Sequence, residues 1–138
     1  MGIHLMKIAV TLTLIGFAGF FFCSVVRCTP DTNVTNVLCN GGLYTAGDPF
    51  AVSLAYVLQE LETAAPAHKN YDYYNISPYP NAFAYGHASC GKNITAPDCT
   101  TCLGAAKTDM SVTCQNAIGG RAVLVDCAVR YEQYPFTD

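Results

Sequence analysis

The sequence predicts a single α+β domain preceded by a secretory leader. Two stretches show helical apolar spacing behind a capping residue and a proline. Five short stretches between and around them read as strands. Cysteine is dense, at eight in 138 residues, which in a short chain points to disulfides and an oxidising compartment.

The leader comes first. Residues 8–22 form an unbroken apolar run behind Lys7. Fifteen residues are short for a membrane span, which needs about 20, and fit a signal peptide. Val26 and Cys28 suit the −3 and −1 positions of a cleavage site; cleavage after Ser24 is the other reading, and it would leave an odd set of seven cysteines. Residues 1–28 are therefore expected to be removed, leaving one domain over 29–138. This removes Cys23 and Cys28 and leaves an even set of six: Cys39, Cys90, Cys99, Cys102, Cys114 and Cys127. No other stretch of the chain is long and apolar enough to span a bilayer.

Charge narrows the function. The whole chain carries −3. Loss of Lys7 and Arg27 leaves five bases against ten acids, or −5. Nucleic-acid binding calls for a basic excess or stripe, and neither is present. Cationic attack on an anionic membrane is excluded on the same ground. Three sequons fit a secreted chain: Asn33-Val-Thr35, Asn75-Ile-Ser77 and Asn93-Ile-Thr95.

Along the remaining chain, residues 34–40 read as a first strand. Gly41-Gly42 and Gly47-Asp48-Pro49 mark a loop, with Asp48 an N-cap and Pro49 the first helical residue. Phe50, Leu54, Val57, Leu58 and Leu61 then form one apolar stripe on a helix that runs to about Thr63 and is stopped by Pro66. Residues 71–74 and 83–88 read as two short strands around a proline-broken loop. Alternation assigns Tyr71 and Tyr73 to the core; a sugar-stacking platform made with Tyr74 and Tyr79 is the other reading of this cluster. Thr95 and Asp98 have capping-box spacing before a helix over about 97–112, with Cys99, Cys102, Leu103, Ala106 and Met110 along one side. Residues 116–120 read as a turn. Residues 121–126 and 128–134 read as strands, with Val123, Val125, Cys127, Val129 and Tyr131 expected to face the core.

Cys90, Cys99 and Cys102 carry the spacing C-x8-C-x2-C. Spacing alone leaves three readings. Cys99 and Cys102 could join Cys114 and Cys127 around zinc. They could form a redox pair near a helix N-terminus. All six could be structural disulfides, with fifteen pairings open.

The same spacing resembles the signature of the plant cysteine-rich secretory domain, also called the stress-antifungal or ginkbilobin-homologous domain. The likeness extends to Phe83-Ala-Tyr-Gly-His-Ala-Ser-Cys90, Cys114-Gln-Asn-Ala-Ile-Gly-Gly-Arg121, Val125-Asp-Cys-Ala-Val-Arg-Tyr-Glu132 and Leu38-Cys39-Asn40. It spans residues 34–136. The resemblance implies two helices packed on a roughly five-stranded antiparallel sheet. It also implies the pairing Cys39–Cys114, Cys90–Cys99 and Cys102–Cys127, which would separate the two CxxC cysteines.

No catalytic set stands out. His87 and Ser89 lie on one apparent strand without a nucleophile elbow. No carboxylate pair is marked by spacing, and Gly119-Gly120 is too short for a phosphate loop. A non-enzyme without cofactor or metal is expected. The resemblance implies a binding function instead. Antifungal lectins of this family hold mannose through an Asn after the first framework Cys, an Arg after the Ala-Ile-Gly turn, and a Glu in the last strand. By motif these fall on Asn40, Arg121 and Glu132. A carboxylate accepts two O–H bonds, a guanidinium donates a fork and an amide does one of each, which suits vicinal hydroxyls. In the other reading of these residues Arg121 and Glu132 are a cross-strand ion pair and Asn40 caps a turn. The functional expectation is a secreted antifungal lectin of the apoplast that binds mannose-containing glycans of the fungal wall. The alternative is an apoplastic protein-interaction module that meets cell-surface receptors without binding sugar.

Overall fold

Helix α1 (Pro49–Ala64) starts where Asp48 accepts a hydrogen bond from the Phe50 amide at 2.9 Å, with Pro49 in the first turn. Its stripe Phe50, Leu54, Val57 and Leu61 is buried. Past Ala64 the chain tightens into a short 3-10 turn at Ala65–Ala67, where Pro66 cannot donate to the α-helical ladder, and then turns at Lys69–Tyr71 through left-handed backbone at Asn70. Helix α2 (Ala96–Thr113) is capped by Thr95, whose hydroxyl accepts from the Asp98 amide at 3.2 Å. Its buried side is Cys99, Cys102, Leu103, Ala106 and Met110, as the spacing predicts.

The strands are β1 (Val34–Cys39), β2 (Asp72–Ile76), β3 (Tyr85–Cys90), β4 (Gly120–Leu124) and β5 (Cys127–Glu132). The computed structural model describes residues 29–138; the expected leader, 1–28, lies outside the described residues. The strands form one antiparallel sheet in the order β1-β4-β5-β3-β2. Both helices cover one face. The architecture is the expected α+β fold of two helices on five strands.

The inner face of the sheet is built from small residues. Ala84, at the entry to β3, and Ala88 and Ala122 are fully buried. A Cβ on Gly86 would meet Val57, and also Leu61 and the Asn75 amide at 2.8 Å, so glycine is what lets α1 lie on β3. Here the expected parity of β4 is corrected. Gly120, Ala122 and Leu124 face the core, while Val123 is half-buried and Val125 is exposed. Val125 and Asp126 form the reversal into β5, so the alternation does not carry across from one strand to the next. In β5 the expectation holds, with Cys127, Val129 and Tyr131 buried. Tyr71 and Tyr73 pack half-buried against the core, whereas Tyr74 and Tyr79 are exposed.

The disulfides are Cys39–Cys114, Cys90–Cys99 and Cys102–Cys127. Each ties α2 or its C-cap to a different strand. Cys99 and Cys102 have different partners, which removes the dithiol and the thiolate zinc site together. The chain-entropy account gives each bridge roughly 2.7 to 4.5 kcal/mol as an upper value.

The sequons separate by burial. Asn33 and Asn93 are exposed. Asn75 donates its amide to the Val57 carbonyl at 3.3 Å, and the buried Ser77 hydroxyl accepts from the Ala84 amide. Glycopeptide mapping of the protein expressed through a eukaryotic secretory pathway is expected to find glycan only at Asn33 and Asn93. An occupied Asn75 in folded protein would contradict this packing.

Candidate functional site

The site is built on the outer face of the sheet, away from the helices. One row crosses all five strands in register: Leu38 beside Arg121, Arg121 beside Arg130, Arg130 beside His87, and His87 beside Tyr74. Beside this row lies a cleft of about 330 Å³ lined by Leu38, Asn40, Arg121, Arg130 and Glu132, with Gly119 and Gly120 as its floor. All three residues singled out from the sequence, Asn40, Arg121 and Glu132, therefore open into one hollow.

Each arrives by a separate route. Asn40 follows the bridged Cys39, and its backbone amide bonds the Gly119 carbonyl at 2.8 Å. Its side-chain oxygen accepts from the Gly42 amide at 3.2 Å, and its exposed side-chain NH2 makes no hydrogen bond among the described residues. Arg121 is exposed and forms no salt bridge among the described residues. Glu132 ends β5 and is 9% exposed. The Arg121–Glu132 ion pair of the alternative reading does not form; Glu132 Oε1 instead accepts from Arg130 Nε and Nη2, both at 3.3 Å. Glu132 Oε2 is buried and has no hydrogen-bond partner. A Cβ on Gly119 would collide with that oxygen. Glycine at 119 leaves the space that this oxygen occupies.

Arg130 was not singled out from the sequence, although a signal was present. It stands two residues from Glu132 on one strand and so shares its face. Behind it lies a further layer. Asp138 accepts from Arg130 Nη1 at 2.6 Å and pairs with His87 Nδ1 at 2.9 Å, while His87 Nε2 pairs with Asp72 at 2.5 Å. His87 is thus a bridging residue rather than an ordinary polar strand position. Phe136 covers the Arg130 guanidinium at 4.1 Å, and the Tyr74 hydroxyl accepts from the Asp138 amide at 3.0 Å. Residues 133–138 form a strap that holds Arg130, and through it Glu132. Burial by itself would raise the Asp138 carboxyl. Hydrogen bonds from His87 and Arg130, with the charges of Arg130 and Arg121, outweigh it and hold it below its ordinary value. Arg130 is raised: burial pulls it down, but bonds and charge from Asp138 and Glu132 prevail.

A larger hollow, about 430 Å³, lies between the helices and is lined by Tyr44, Leu54, Leu58, Met110 and Tyr131 among others. It contains no charged side chain. The smaller cleft gathers the donors and acceptors and is the candidate site.

Comparison with known proteins adds to this geometry. The family model described as salt stress response/antifungal matches residues 38–134. The chain is 36% identical over 109 residues to an antifungal ginkbilobin-like protein of Picea abies, covering 78% of this chain and 99% of that one. It is 35% identical over 108 residues to antifungal protein ginkbilobin-2 of Ginkgo biloba, covering 77% and 80%. Among solved structures it is similar to the tandem DUF26 ectodomain of the Arabidopsis thaliana cysteine-rich receptor-like protein PDLP5. The TM-score is 0.68 at 19% identity, over 75% of this chain and 51% of that one. The corresponding ectodomain of PDLP8 gives a TM-score of 0.62 at 24% identity, covering 75% and 45%. The chain spans about half of each tandem ectodomain, and the likeness is one of fold.

The strap makes a pH prediction. A carboxyl whose folded value is lowered stabilises fully above its unfolded value and loses that contribution as pH falls through the folded one. In a carbon-detected titration Asp138 is expected to have a midpoint below the ordinary 3.8. The midpoint should move up in Arg130→Gln. A midpoint at or above 3.8 in the unaltered protein would mean that the strap is not docked through this carboxylate.

Proposed function

Because the chain belongs to the salt stress response/antifungal family of ginkbilobin-like proteins, we propose that it is a secreted defence protein that binds mannose-containing glycans of fungal walls through Asn40, Arg121 and Glu132. Residues 1–28 act in this reading as a leader that is removed, and 29–138 as the acting domain. The curated relatives are named antifungal proteins, which supports a defence role. The observation that carries the sugar reading is the unpartnered Glu132 Oε2, buried at the edge of a cleft that also presents an unpaired guanidinium and an amide donor. A buried acceptor without a donor costs about 1–3 kcal/mol. A vicinal diol supplies the missing donor, and its own oxygens accept from Arg121 and Asn40.

A cleft this open and small binds one hexose at about millimolar strength, or roughly −4 kcal/mol. Retention on a wall polymer then depends on the density of sugars offered. A second reading, an apoplastic module that meets cell-surface receptors, is favoured by the fold shared with receptor-like ectodomains.

The test is retention of the oxidised protein on yeast mannan with free mannose as competitor. Mannose-displaceable retention is expected. Glu132→Gln should weaken mannose binding roughly ten- to hundredfold, the worth of a charged hydrogen bond. Its melting temperature should move by only a few degrees, since Arg130 keeps Asp138. No retention by well-folded protein would reject the sugar reading and favour the receptor reading.

A further inference from the structure

A second hollow lies on the same sheet face, and residues of its lining neighbour residues of the polar cleft. It measures about 280 Å³ and is lined chiefly by Tyr74, Ile76, Tyr85, Pro135 and Phe136. We propose that it is a second sugar subsite, in which the next pyranose of a mannose-containing chain lies against the Tyr85 ring. This inference rests on the reading of the Glu132 cleft as a mannose site.

Two contacts join the hollows. Tyr85 and Glu132 are direct partners across β3 and β5, and such partners stand about 5 Å apart at Cβ. Phe136, from the opposite wall, lies on the guanidinium of Arg130, which bonds Glu132. A ring seated against Glu132 therefore has its neighbour along the chain over Tyr85. Each hollow is near the lower limit of about 300 Å³ for sites that enclose a small molecule, which suits one ring apiece.

The chemistry of the two hollows is complementary to a glycan. The first presents charge and amide groups to hydroxyls. The second presents rings. A pyranose carries hydroxyls around its edge and C–H groups on its faces, and the faces pack on aromatic rings. Tyr74 and Ile76 are 43% and 47% exposed. Isolated exposed apolar side chains are ordinary, but a cluster rimmed by polar groups marks a contact site. Of the three rings, Tyr74 has a face covered by His87 at 3.9 Å and Phe136 has one on Arg130. Tyr85 has no ring stacked on it among the described residues, the nearest being Phe83, tilted at 6.5 Å. It is half-buried between its cross-strand neighbours Ile76 and Glu132 and lines the hollow. A protein partner needs contact on the order of 1,000 Å², far more than this ring-sized hollow offers.

The experiment titrates the oxidised secreted protein by NMR with methyl mannoside and with methyl mannobiosides of different linkage. At least one mannobioside is expected to bind roughly three- to tenfold tighter than the mannoside, the scale of one added aromatic contact. Tyr85→Ala should bring that ratio to about one while leaving mannoside affinity unchanged; Tyr85→Phe should retain it. Unchanged mannoside affinity also reports correct folding. If Tyr85→Ala does not fold, Tyr85→Leu fills the strand position without a ring and should likewise abolish the ratio. A ratio near one in the unaltered protein, or one that survives loss of the ring, overturns the subsite and leaves the mannose site standing. Failure of the unaltered protein to bind either sugar overturns the mannose reading, and the subsite with it.

Discussion

Three covalent ties between α2 and the sheet set the geometry on which everything else rests. Cys99 holds β3, Cys102 holds β5 and Cys114 holds β1. The domain has few large apolar residues on its strands, so packing alone gives the sheet little to grip. The ties compensate, and they also set direction. With Cys127 bridged inward, alternation turns Arg130 and Glu132 outward. With Cys39 bridged to Cys114, the chain leaves β1 beside Gly119, which brings Asn40 to the cleft. The cleft thus depends on bridges whose sulfur atoms lie on the far side of the sheet.

The two faces of the sheet solve different problems. Inside, alanine and glycine on the strands admit the large side chains of the helices; Met110 would lie 3.3 Å from a Cβ at Gly120. Outside, the register sets Arg121 directly opposite Arg130. Like charges in that position repel. Glu132 and Asp138 both answer Arg130, and Arg121 is left unanswered. The strap that brings Asp138 across also brings Phe136 and Pro135, so one segment neutralises a charge and walls the aromatic hollow.

How much of this was legible follows from the range of each interaction. The helices were, because caps and stripes are local: Asp48, Pro49 and Thr95 act within one turn. The parity of β5 was, because Cys127, Val129 and Tyr131 are large and alternate without a break. The parity of β4 was not. Val123 and Val125 look like core residues, yet the space under β4 fits only Gly120 and Ala122, and α2 rather than the strand decides that. Asn40, Arg121 and Glu132 were reached through family likeness alone, since they come from three strands or their ends. The link of Asp138 to His87 spans 51 positions and has no local signature. Asn75 reads as an exposed sequon in one dimension and is packed under α1 in three.

Glu132 is the residue on which the proposed sugar site chiefly rests. If the residue served only to hold Arg130, one carboxylate oxygen would suffice, and Asp138 already supplies such a contact. The second oxygen is buried without a partner, at a site where the adjacent residue must lack a side chain to leave room for it. Folding gains nothing from that arrangement and loses the hydration of a charged acceptor. A buried polar atom without a partner calls for an explanation, and a bound donor is one that also fits the cleft around Glu132. The deficit lies between an exposed guanidinium and a side-chain amide on one side and an aromatic-lined hollow on the other. A ligand with a polyhydroxylated edge and apolar faces meets both demands at once.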